Sequence, residues 1–426
     1  MHNTTRRSVF TVLSATALIG LLAAATGFGP LNPPAGTVTG TAKPLSEVEP
    51  RIAINATNTP GDADSVFRIS QAGSYYLTGN VSAIPSGKSG IEITTSDVTV
   101  DLSGFRVEGF LSSNLDGIVL VSGGVQRRNI VIRNGTVVQC GGMGINLAGA
   151  ASCTIKDIHA VNNTGIGISA GTGARVEDCT ASVNSSGIGI VVGDGSGVSR
   201  CVARGNGNGG IQAASGCTIT GCSALENGGL GIKTGIGGTI TSCTAQANTG
   251  GGISTGIGNT ITGCSASNNI GNGISTTEGC TITGCTASFN SGVGISSVFG
   301  STISNCTARR NALDAIRVDV QCAVLNNLCT DSGFGSNAGA AIHVAGIYNR
   351  IEGNTCSNSD RGIDVDASLN IIIKNTCSLN AINWDIAADN IVGPIINRTI
   401  PISLAIIGNS GPDSTGSTHP NANFTH

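Results

Sequence analysis

Four residues toward the C-terminal end carry most of the chemistry this chain offers. Arg317, His343, Asp364 and Asp385 each follow an apolar residue, namely Ile316, Ile342, Ile363 and Trp384, and the last two steps between them are 21 residues while the first is 26. If those apolar residues face inward on successive strands, the residue after each faces out, and the four make one vertical file. Asp314, Asp319, Arg361 and Asp366 flank it. Carboxylates on adjacent strands stand roughly 5 Å apart, so one of Asp364 and Asp385 would raise the other's pKa and let it serve as a general acid. On this reading Asp364, Asp385, His343 and Arg317 are catalytic and the flanking four contact substrate. A different reading gives Asp364, Asp366 and Asp385 to Ca²⁺, the hard cation that a carboxylate cluster prefers; no other cofactor is expected. The plain alternative is a solvated surface whose rung-to-rung ion pairs contribute little each.

Positioning such a file requires a repeating scaffold, and the sequence has one. Cys179, Cys201, Cys222, Cys243, Cys264, Cys285 and Cys306 recur at one step of 22 and then five of 21, and Asn184, Asn206, Asn227, Asn248, Asn269, Asn290 and Asn311 keep the same step. Gly-Ile pairs run through Ile145, Ile168, Ile190, Ile211, Ile232, Ile253, Ile274 and Ile295. Gly and Asn every few residues forbid a helix, and pieces such as "GIST" and "TITG" are long enough only for short strands. By the period of two, Ile of "TIT" faces in with its two Thr outward, and Cys and Ala of "CTA" share a face. Each unit is then three short strands bent at Gly and Asn, where a left-handed residue is tolerated.

The sequence "GIxI…TIxxCxAxxN" at this step resembles the right-handed parallel β-helix of the pectin-lyase-like superfamily, over roughly residues 90–388. The flanks "EVEPRIAINATNTPGDADSVFRISQAGSYYLTGNV" and "HPNANF" resemble a group of exported planctomycete-type β-helix proteins. The resemblance implies an all-β solenoid of about 14 coils of ~21 residues, spanning residues 90–398 and capped at both ends, because uncovered terminal strands polymerise edge to edge. Residues 47–89 are the expected N-terminal cap, with "SYYLTGNV" as its strand, and residues 399–426 the C-terminal one. Residues 1–25 read as a signal peptide, with Arg6-Arg7 of twin-arginine type, and residues 26–46 as a Pro/Gly/Thr linker, so the chain is expected to be secreted or at the cell surface with no further membrane span.

Composition removes several functions. With 22 basic against 25 acidic residues there is no electrostatic footprint for nucleic acid. G-x-G-x-x-G matches come free with 64 Gly and open no helix, so no dinucleotide site follows. The 15 Cys have no zinc spacing, and their shared inward column with Asn327, Asn354 and Asn375 reads as a ladder of small buried residues rather than disulfides. Residues 205–301 hold only Glu226, Lys233 and Glu278 as charges, leaving Thr-x-Thr rows from Thr218 to Ser304 that resemble the face of β-helical ice-binding proteins and also suit plain exposed strands.

The resemblance is specific for fold rather than activity. It implies a structural or polysaccharide-binding module at a cell-envelope surface. The alternative is a polysaccharide lyase or glycoside hydrolase at the Arg317 file, although the NTD, GDD, GHG, RIK and DPH motifs of known relatives are absent. Contact with ice or another surface through the Thr rows is the minor reading. Oligomeric state is left open.

Overall fold

The computed structural model describes residues 49–426 apart from 83, 122, 334–338 and 398–418. The expected signal peptide and linker, and most of the expected C-terminal cap, lie outside the described residues. Within them the chain winds as a parallel β-solenoid without helices. One coil shows the plan: Ile232–Thr234, Thr239–Thr241 and Thr244–Gln246 form its three sides. Each pairs in parallel with the strand one coil on, so Ile232 aligns with Ile253, Ile240 with Ile261 and Ala245 with Ala266. The first sheet has 15 strands, from Ser65–Ile69 to Ile382–Ile386. The second and third sheets join where two long strands, Ile130–Val138 and Thr154–Val161, continue round their common corner.

The solenoid has about 16 turns rather than the 14 expected. The difference arises partly before residue 90. Ile52–Ala53 and Gly73–Tyr76 already stack in the second sheet, and Ser65–Ile69 stacks on Ser89–Ile93 in the first. The stretch expected as a cap therefore supplies strands of the stack itself. At the other end, Asn423–Thr425, which begins inside "HPNANF" and runs one residue past it, lies between Thr376–Ser378 and Ile395–Asn397, paired with both.

Ile of the first and second sheets and Ala of the third fill the core, with Ile232, Ile240 and Ala245 all fully buried. Three polar ladders run along the corners. In the first, the Cys222 amide donates to Cys243 Sγ at 3.4 Å and the Cys243 amide to Cys264 Sγ at 3.4 Å. Asn327, Asn354 and Asn375 continue that column, as the register required. All 15 cysteines are buried free thiols. The second ladder is the Asn column, where each side-chain amide donates to the next Asn Oδ1 and to an Ala carbonyl of the preceding coil; Asn248 Nδ2 reaches Asn269 Oδ1 at 3.0 Å and Ala224 O at 3.1 Å. A third, not foreseen, includes Ser196, Cys217, Asn259, Cys280, Ser301, Cys322, Asn349 and Asn370. Periodicity alone did not reveal it because its residue type changes from coil to coil.

The bends differ from expectation in one respect. The Asn of the second ladder are not the left-handed residues; the residue before each is, and it is Val183, Gly205, Glu226, Ala247, Asn268, Phe289 and Arg310 in turn. The ladder hydrogen bonds hold that conformation whatever the side chain. Before the Cys column the left-handed position is taken by Gly221, Gly263 and Gly284 but also by Asp178, Arg200, Ser242 and Asn305.

The Gly-Ile marker also acquires a cause. A Cβ on Gly252 would lie 2.6 Å from Gly273 O and 2.8 Å from Asn269 Nδ2. Where Ala replaces that Gly, at Ala315 and Ala341, the ladder residue is Ser332 or Ser359 instead of Asn. Gly252→Ala is therefore expected to destabilise the chain by about 2 kcal/mol through overpacking. Asn269→Ser in the same chain should recover about 1 kcal/mol relative to the sum of the single changes, measured as a double-mutant cycle in denaturant.

Candidate functional site

The charged file forms as the register required. Arg317 aligns with His343, His343 with Asp364, and Asp364 with Asp385, on four five-residue strands: Ile316–Val320, Ala340–Val344, Arg361–Val365 and Ile382–Ile386. The 26-residue step is absorbed by an insertion between Ile316–Val320 and Ala340–Val344, where residues 334–338 lie outside the described residues.

Asp314 has a more central place than its flanking position suggested. Its side chain is 5% exposed, Oδ1 accepts the Ala340 amide at 2.8 Å, and Oδ2 lies 3.1 Å from His343 Nδ1. It thereby stitches together the two rungs that the insertion separates. His343 Nε2 lies 2.9 Å from Asp366 Oδ2, so the imidazole bridges two carboxylates. The hydrogen bond to Asp314, followed by that to Asp366, pushes the His343 pKa up to about 9, against burial and the nearby Arg317. Arg317 stands 3.7 Å from Asp314.

Asp364 and Asp385 share an arginine. Arg361 Nη1 is 3.3 Å from Asp364 Oδ2 and its Nε is 3.0 Å from Asp385 Oδ2. Of the pair it is the Asp364 carboxyl that is raised above its ordinary value, and the leading cause is burial rather than the neighbouring carboxylate; repulsion from Asp385 comes last among the causes. The three ligand atoms that converge are those of His343, Asp364 and Asp366, all within 4.8 Å of one another. Asp385, half-exposed and held by Arg361, stands outside that trio. Asp319 faces out two residues beyond Arg317, and no ion pair joins it to the cluster among the described residues. It lines a shallow trough of about 270 Å³ with Asn272, Ser296, Arg317 and Ala345.

A larger hollow, about 670 Å³, occupies the corner where the third sheet turns toward the first. Phe289, Arg310, Asp331 and Asn358 line it, with Arg310 5.5 Å over the Phe289 ring and Asp331 3.2 Å from Arg309. Sequence reading did not single it out, because these residues occupy the variable left-handed corner. The Thr-x-Thr rows face outward in register, Thr218 with Thr239, Thr260, Thr281 and Thr302.

Three sheets wound in parallel around ladders of Asn and Cys define the class: the chain is a right-handed parallel β-helix. The family model described as "Right handed beta helix region" matches residues 68–222. No curated protein matches the chain. Among solved structures it is similar to the mannuronan C-5 epimerase AlgE6 A-module of Azotobacter vinelandii, at 15% identity and a TM-score of 0.43 over 83% of this chain and 90% of that one. It is also similar to a variant of the periplasmic alginate epimerase AlgG, at 11% identity and a TM-score of 0.48 over 72% and 84% of the two chains. A third is the Dettilon tailspike protein, at 16% identity and a TM-score of 0.34 over 74% and 58%. The likeness is one of fold. No helix among the described residues is long and apolar enough to cross a membrane.

Proposed function

We propose that this is an exported, secreted or cell-surface protein that binds polysaccharide along the outer face of its first sheet. The observation that carries the reading is a row in strict register: Gln212, Lys233, Ser254, Ser275, Ser296, Arg317 and His343 stand on consecutive rungs. Donors and acceptors repeated at the roughly 4.8 Å rung spacing suit a repetitive, hydroxyl-rich polymer. A compact solute is better served by an enclosed pocket. Asp319 and Arg317 on the trough wall, with Asp314, Arg361 and Asp366 behind them, supply the charged end of the row. The test is retention of the purified chain on a panel of insoluble or immobilised polysaccharides. Arg317→Ala is expected to weaken retention about tenfold, the value of one charge-assisted hydrogen bond. Glu226→Ala, off that face, should leave it unchanged. Equal retention of all three proteins, or retention on none, rejects the reading.

One observation favours a second reading, in which the face also cleaves what it binds. Asp364 is a buried carboxyl with a raised pKa, beside a His343 that carries a proton at neutral pH. Such a pair can protonate a departing glycosidic oxygen, with Asp385 across Arg361 as the second carboxylate and Arg317 on substrate charge. Release of reducing or ultraviolet-absorbing unsaturated ends that disappears in Asp364→Ala and Asp385→Ala would establish it; no release on any substrate would leave a binding module.

A further inference from the structure

We propose that the protein holds one divalent transition-metal ion of the Zn²⁺ type at His343 Nε2 and the carboxylates of Asp364 and Asp366, with Asp314 positioning the imidazole. The β period makes the constellation. Asp364 and Asp366 sit two apart at the edge of Arg361–Val365, and His343 lies directly opposite Asp364 on the neighbouring rung. The ligand atoms fall within 4.8 Å of one another. His343 Nε2 and Asp366 Oδ2 are 2.9 Å apart in the free protein, a hydrogen-bond distance that opens to about 3.4 Å when both meet a tetrahedral ion roughly 2.1 Å from each.

Asp314 supplies an independent reason. Its buried carboxylate is fixed by the Ala340 amide at 2.8 Å and faces His343 Nδ1 at 3.1 Å. A carboxylate on one imidazole nitrogen orients the other as a ligand, the arrangement found behind most metal-bound histidines. Here that other nitrogen points at Asp366 at 2.9 Å, where the imidazolium proton lies between them in the free protein, and the ion takes that proton's place. Among the described residues this is the one group of three or more His, Cys, Asp or Glu with converging ligand atoms.

The donor set also selects the ion. Ca²⁺ takes oxygen ligands, and the triple-carboxylate site that would suit it lacks Asp385, drawn away to Arg361 at 3.0 Å. An imidazole nitrogen with two carboxylates favours Zn²⁺ or a neighbouring first-row ion. Asp366 is 57% exposed, so the site opens to solvent on that side and leaves coordination positions for water. The charged groups facing it are Asp314, Arg317, Arg361 and, beyond Arg361, Asp385. The inference does not depend on the polysaccharide reading, since it concerns the free protein.

The experiment is calorimetric titration of chelator-treated protein with Zn²⁺ and separately with Ca²⁺, with Co²⁺ absorption as the probe of ligand type. One Zn²⁺ per chain is expected, bound at least tenfold more tightly than Ca²⁺, with a Co²⁺ spectrum free of thiolate charge transfer. His343→Ala and Asp366→Asn should each weaken binding more than tenfold, Asp314→Asn about tenfold, and Asp385→Asn should leave it unchanged. The exposed Asp366→Asn keeps the test decisive if His343→Ala fails to fold. Absent or unsaturable binding, a thiolate Co²⁺ spectrum, a preference for Ca²⁺, or binding that survives Asp366→Asn would each overturn the proposal.

Discussion

Asn248→Ala is expected to destabilise the chain by about 4 kcal/mol, because it strands several buried polar groups at once. Asn248 Oδ1 accepts both the Asn227 amide at 3.1 Å and Asn227 Nδ2 at 2.9 Å, while its own Nδ2 serves Asn269 Oδ1 and the Ala224 carbonyl. Asn227, Asn248 and Asn269 are all fully buried, so water cannot replace what is lost. Asn248→Ser should cost about half as much, since a hydroxyl still accepts the backbone amide, as Ser332 does for Asn311 at 3.3 Å. Asn248→Asp should be the worst of the series, placing a buried anion against Asn269 Oδ1. Equilibrium unfolding in urea checks the order. A flat series would mean that the ladder follows the fold rather than holding it.

Raising the pH from 6.5 to 9 in chelating buffer should remove on the order of 3 kcal/mol of stability. The sign follows from His343. Its folded pKa, raised to about 9 by Asp314 and then Asp366, lies above the ordinary 6.5. Its contribution is therefore complete below 6.5 and lost as pH rises through about 9. Asp364, also raised, acts in the same sense but from the carboxylate range, so its share begins to fade at lower pH. The groups facing His343 are Asp314, Asp366, Asp364 and Arg317, and its side chain is 12% exposed, so screening by solvent is weak. Melting midpoints measured at several pH values test this: His343→Gln should flatten the slope above pH 6.5, and an unchanged slope would show that another group titrates.

Much of this was legible in the residues. The 21-residue step determined the strands, the inward Cys and Asn columns and the alignment of Arg317 with His343, Asp364 and Asp385. It did so because stacking converts equal spacing into vertical contact, and even a 26-residue step was read through by following Ile316 to Ile342. What escaped was set by side-chain direction at corners. Asp314 precedes its strand, where a period of two assigns no face, and only the turn shows it tucked under His343. Arg361 was placed beside the file, but its reach to both Asp364 and Asp385 depends on a long side chain. One signal was present and unread: Ala315 and Ala341 depart from Gly in the coils where Ser332 and Ser359 depart from Asn.

The fifteen buried thiols have a use beyond packing. Burial holds Cys140 up to about 12 and pushes Cys329 and Cys356 well above their ordinary value, so in the closed stack these three offer almost no nucleophilic thiolate, and burial keeps reagent from the rest. Alkylation then waits on local opening, and a stack whose coils contact only their neighbours opens piecemeal. Most described coils from Cys140 to Cys377 carry at least one such thiol. A brief pulse of alkylating reagent, read position by position from peptide masses, would thus record where the winding parts first and how far each breach spreads.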